Sequence, residues 1–136
     1  MKNQIIYINK EEENQYIENL NFKNYFFAKI DGSLISTISD YMNAIIVAFQ
    51  FPSGIFSNTT SIDAYNDWMR DLTWIDQYDG YILVIENFTK MLSCYPKEKD
   101  RILSEFDETI FPFWAEEVIH TVVGGKTKSF LVLLVE

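Results

Sequence analysis

"YFFAKIDGSLISTISDYMNAIIVAFQFP", residues 25–52, decides the fold. Its first six residues are a compact apolar run that Asp31 and Gly32 close with a turn, the pattern of a buried strand. Ser36 or Thr37 can then cap a helix along which Ile38, Tyr41, Met42, Ile45, Ile46 and Phe49 recur at helical spacing up to Pro52. Two later runs, "YILVIE" at 81–86 and "SFLVLLVE" at 129–136, are apolar without polar alternation. Such strands need cover on both faces, and helical stretches lie between them. The expected class is α/β: a small parallel three-stranded sheet packed with helices.

The rest of the chain fills in around these runs. Residues 51–61, "FPSGIFSNTTS", carry turn-forming types and read as a loop. Residues 62–74 read as a second helix that "DQYDG" at 76–80 stops. From about 89 to 123 the pattern is helical again, and Pro96 and Pro112 are expected to divide it into two pieces before Gly124 and Gly125 end it. "EEENQYIENLN" at 11–21 suits a short polar helix or an accessory arm. The expected organisation is an amino-terminal extension over 1–24, its structure left open, and one domain over 25–136.

A chain of 136 residues can bury a sizeable core, about 65–70% of its unfolded surface. With 48% hydrophobic and 16% aromatic residues it has a globular composition, and disorder is expected only near the ends. Cys94 is the only cysteine, which excludes an intrachain disulfide and a cysteine-based zinc site; the thiol reads as a small apolar residue. The apolar run near the start is shorter than a signal-peptide core, and no run reaches the ~18 residues of a membrane span. A cytoplasmic protein without a membrane partner is expected. Twenty acids against eleven bases give a net charge of −9, which disfavours nucleic acid and anionic lipid and favours a basic partner. The same acidity also serves plain solubility.

"DAYNDWMRDLTW", residues 63–74, concentrates the question of function. At about 100° per residue, Ile62, Tyr65, Trp68, Met69 and Leu72 share one face while Asp63, Asp67 and Asp71 fall on the other. The apolar face explains docking, and nothing about docking calls for the acids. Each neighbouring pair of like charges costs a helix roughly 0.2–0.5 kcal/mol, which Arg70 can relieve at Asp67. A solvated acidic face and a surface kept for a partner both fit this row. A cation site fits poorly, because acids along one helix face do not enclose an ion. General acid/base chemistry needs carboxylates in unlike surroundings, and these look alike. His120 is the only histidine, and "GGKTKS" at 124–129 lacks the first glycine of a phosphate loop and precedes a strand. No catalytic residue, metal or cofactor is expected.

In order and at similar intervals, "KIDGSLISTISD", the helix to "FQFP", "DAYNDWMRDLTW" and "YILVIEN" resemble the barstar family of ribonuclease inhibitors. The likeness is good over residues 25–88 and looser beyond, and its most specific part is Asp-Ala-x-x-Asp at 63–67 followed by Asp-Leu-x-Trp at 71–74. In that family the second helix and the loop before it enter the active site of a small basic ribonuclease, with acids placed where RNA phosphates would sit. The resemblance thus implies a non-enzymatic immunity or antitoxin protein, monomeric when free and bound one-to-one to its ribonuclease. Asp67 aligns with the dominant contact, Asp63 with a supporting acid, and Asn66 with a position that is aromatic in the inhibitor for which the family is named. Asp71 continues the acidic row, and Glu116 or Glu117 is the candidate for an acid on the last helix. Three features depart from the family's pattern. The binding loop is longer and carries "GIFSN", which offers Phe56 and Asn58 as contacts; Asn66 replaces an aromatic anchor; and there is the extra amino-terminal arm. These departures leave open a toxin of another kind, met on the same face.

Overall fold

The computed structural model describes residues 2–20, 23–53 and 60–136. Among these, four strands form one parallel sheet: β1 (Gln4–Ile8), β2 (Tyr25–Asp31), β3 (Gly80–Glu86) and β4 (Ser129–Val135), in the spatial order β1-β4-β3-β2. The three apolar runs of the sequence supply β2, β3 and β4. The expected count of three is corrected by β1, whose five residues, "QIIYI", hold only three strongly apolar ones. As an edge strand it is only partly buried, so its pattern is diluted. Asn3 fixes the start of its pairing with β4: its Nδ2 donates to the Phe111 carbonyl at 3.1 Å, and its Oδ1 accepts from the Phe130 N–H at 2.8 Å.

Helices cover both faces, as strands buried on both sides require. One face takes α1 (Lys10–Leu20), whose Tyr16, Ile17 and Leu20 pack on Ile82, Leu131 and Leu133. Of the two readings of this stretch, a short polar helix or an accessory arm, the helix is what forms over the described residues, and it is built onto the sheet. On the other face lie α2 (Ile38–Ala48), α3 (Ile62–Met69) and a long helical stretch over 96–121. Thr37 caps α2 by accepting from the Asp40 N–H at 3.2 Å, while the Asp40 carboxylate accepts from the Thr37 N–H at 3.1 Å, a reciprocal capping box. Gly32 follows β2 because the backbone closes in there: a Cβ at this position would lie 2.6 Å from the Asn87 carbonyl oxygen.

The long stretch corrects the expectation that Pro112 splits it. Pro96 stands in the first turn of α4 (Pro96–Glu105), where its missing N–H costs nothing. Beyond α4 the chain widens into π-helical turns at Phe106–Ile110 and Phe113–Glu117 before α5 (Val118–Thr121). The Phe111 N–H reaches back five residues to the Phe106 carbonyl, and the Val118 N–H likewise to Phe113. These wide turns on either side let Pro112 sit inside a continuous helix without ending it.

Carboxylates tie the elements together at the carboxyl ends of β2 and β3. Glu13 of α1 is 2% exposed and pairs with Lys10 at 3.3 Å and Lys29 at 3.1 Å, and both lysines also meet Glu86. The Lys10 hydrogen bond holds the Glu86 carboxyl below its ordinary range. Asn87 and then Ser33 do the same for Asp31, and the Ser36 and Thr37 N–H groups for Asp40. Folded pKa values below the unfolded ones stabilise at neutral pH, and this contribution is lost as pH falls through the lowered values. The melting temperature is therefore expected to be flat from neutrality to about pH 5 and to fall below about pH 4. Calorimetry across that range checks it, and a steady loss beginning near pH 6 would point to other groups.

Candidate partner-binding site

Ser61 starts α3 by accepting from the Ala64 N–H at 3.2 Å. Tyr65, Trp68 and Met69 are buried beneath the helix, and the Tyr65 hydroxyl meets that of Tyr41 at 2.8 Å. Asp63 and Asp67 stand exposed on its other side. The helical row of three acids is corrected to two, because α3 ends at Met69 with Arg70 as its carboxyl cap, and Asp71 lies exposed in the turn that follows. Leu72 takes a left-handed conformation, φ 49°, and is buried there. A helical continuation and this reversal both bury Leu72, so its apolar phase could not separate them. The indole of Trp114 donates to the Met69 carbonyl at 2.8 Å and satisfies the end of the helix.

Arg70 relieves one charge, as its spacing suggested. Its Nη2 donates to Asp67 Oδ1 at 2.9 Å, and its Nε to the Asn66 carbonyl at 3.1 Å. The Asp67 side chain stays 74% exposed. Neither Asp63 nor Asp71 has a salt bridge among the described residues. The three acids thus lie two on the exposed face of a firmly seated helix and one in the adjoining turn.

Asn66 is not part of that exposed face. It is 8% exposed, and its Nδ2 donates to Glu105 Oε2 on α4 at 2.8 Å. Glu105 also accepts from Thr109 at 2.9 Å and Arg101 at 3.1 Å. Burial pushes the Glu105 carboxyl up, but hydrogen bonds from Asn66, Thr109 and Arg101 outweigh it and hold the group below its ordinary range. Glu105→Ala is expected to strand the Asn66 amide and cost about 1–3 kcal/mol in urea unfolding. A loss under about 0.5 kcal/mol, the size of an ordinary surface change, would mean that this bond does not hold α3 to α4.

Glu116 and Glu117 are both exposed, on the second π-helical turn, in the same stretch as the Trp114 that holds the end of α3. Phe56 and Asn58 lie outside the described residues. Glu105 and Trp114 were missed by sequence reasoning, since their partners are 39 and 45 residues away and no local pattern announces them. Cys94, read as a small apolar residue, is exposed. No group of three or more His, Cys, Asp or Glu side chains among the described residues could hold a metal ion. No helix among them is long and apolar enough to cross a membrane.

Sheet order, helical cover and an exposed pair of aspartates on a well-anchored short helix define a small parallel α/β domain with an acid-bearing surface helix. The chain belongs to the barstar family: the family model described as barstar (barnase inhibitor) matches residues 25–124, which contain β2, α2, α3, β3 and the whole long helical stretch. No curated protein and no solved structure matches the chain.

Proposed function

We propose that the protein binds and blocks the active site of a basic ribonuclease in a one-to-one complex, as the immunity or antitoxin partner of that enzyme in the cytoplasm. The observation that carries this reading is the pairing of a buried α3 face with exposed Asp63 and Asp67 in a chain of the barstar family. A cleft that binds RNA phosphates must present lysines and arginines, and two fixed carboxylates on a rigid helix are complementary to it. Asp71 adds a third charge from the turn, and by resemblance Phe56, Asn58 and Glu116 extend the contact. Asn66 acts in this reading through α3, by fixing the helix to Glu105, and not as a direct contact. The free chain is a monomer, and its net charge of −9 steers it towards a basic enzyme at low salt.

Co-expression with a barnase-type ribonuclease tests it. Wild-type protein is expected to restore growth and the double variant Asp63→Ala/Asp67→Ala to fail. Equal rescue by both would contradict the acidic-face mechanism. One observation favours a second reading, a toxin of another class met on the same face: the residue at the family's aromatic anchor is here a buried asparagine. Growth rescue without inhibition of RNA cleavage by purified basic ribonucleases would select that reading.

A further inference from the structure

β1 is an edge strand, and its outer side has no strand beside it among the described residues. Glu136 donates its N–H to the Ile8 carbonyl at 3.2 Å and accepts from the Lys10 N–H at 2.7 Å, which fixes the parity of the parallel ladder. Gln4, Ile6 and Ile8 therefore turn their backbone groups to β4, and Ile5 and Tyr7 turn theirs outward. β1 ends the sheet, and no strand among the described residues pairs with that side. Proteins guard such edges with a charged residue, a proline or a bulge. β1 has none of these over Gln4–Ile8, and its register with β4 is unbroken.

Beside this edge runs a groove of ≈530 Å³, lined by Ile5 and Tyr7 and, across from them, by Asp100, Leu103, Ser104 and Asp107. The latter four recur at i, i+3, i+4 and i+7, so one stripe of the helical stretch faces the edge strand. Both aspartates are exposed, Tyr7 is 64% exposed, and Lys2 is the one base in the lining.

We propose that β1 is a strand-addition site for an extended segment of a basic polypeptide. The segment pairs with the outward backbone groups of Ile5 and Tyr7 and reaches Asp100 and Asp107 with lysine or arginine side chains. A second copy of this chain fits less well, because its own β1 carries no basic residue over Gln4–Ile8 and each copy carries −9. The site shares no residue with the acidic face of α3 and does not depend on the inhibitor reading.

The full chain is titrated with a short peptide alternating lysine with valine and with its glutamate counterpart, followed by amide hydrogen exchange. The lysine peptide is expected to slow exchange at Ile5 and Tyr7 but to leave Ile6 as it was, and to bind at least about tenfold more tightly than the glutamate peptide. Tyr7→Pro removes an outward N–H that the β4 ladder does not use, and is expected to weaken lysine-peptide binding about tenfold. Asp100→Lys/Asp107→Lys, a surface change that spares the strand, is expected to reverse the preference between the two peptides. No protection of Ile5 and Tyr7 at millimolar peptide, equal binding of both peptides, or unchanged preference in the lysine double variant would overturn the proposal. Self-association of the chain abolished by Tyr7→Pro would also overturn it, by giving the edge to a second copy.

Discussion

Asp67→Ala is expected to weaken the proposed complex with a ribonuclease by about 2–5 kcal/mol, mostly through faster dissociation, while leaving the unfolding midpoint almost unchanged. The two effects separate because Asp67 does little for the free protein. Its carboxylate is 74% exposed, and its ion pair among the described residues, with Arg70 three residues on, is a surface pair worth at most about 0.5 kcal/mol. In the proposed interface the same carboxylate would face desolvated cations of the enzyme, and its removal would leave those cations buried and unpaired. Asp63→Ala is expected to cost less and Asp71→Ala least, since Asp71 sits in the turn beyond the helix. Calorimetric titration gives the affinity and urea unfolding the stability. Equal losses in both would place Asp67 among residues that merely hold the fold.

Phe106→Ala is expected to destabilise the protein by about 3–5 kcal/mol. Phe106 is fully buried at the start of the first π-helical turn, where its ring meets Tyr65 at 6.4 Å, Phe111 at 5.6 Å and Phe130 at 5.9 Å between centroids. It therefore joins three parts of the fold: α3 through Tyr65, the long helical stretch, and β4 through Phe130. Alanine would leave a cavity that three rigid aromatic neighbours cannot close, whereas Phe106→Leu should retain most of the stability. Urea unfolding checks both variants. A cost below about 1 kcal/mol for Phe106→Ala would show that the site relaxes, and that α3 does not depend on this ring.

Much of the architecture was legible because its signals are periodic and long. The runs at 25–30, 81–86 and 129–136 read as buried strands, and Ser36 or Thr37 with the 3.6-residue spacing after it marks α2 to within a residue or two of its start. Where the reading failed, the deciding contact was remote or the rule had an exception. β1 is short and half-wet, so its identity as a strand rests on pairing with β4 more than 120 residues away. Pro112 was expected to break a helix, and the wide turns that accommodate it leave no mark in composition. Asp71 falls in the helical row by its four-residue spacing, and Leu72 keeps the apolar phase, although Leu72 reaches its burial through a left-handed turn. Asn66 fell between two aspartates at a position that resemblance gives to a contact, and only its bond to Glu105 turns it inward.

A crystal structure of the complex with the ribonuclease asks most directly whether α3 enters a catalytic groove. Asp63 and Asp67 within hydrogen-bond distance of arginine or lysine side chains lining that groove is the expected result. An enzyme bound elsewhere on the domain, with its groove open to RNA and both aspartates in bulk water, would contradict it.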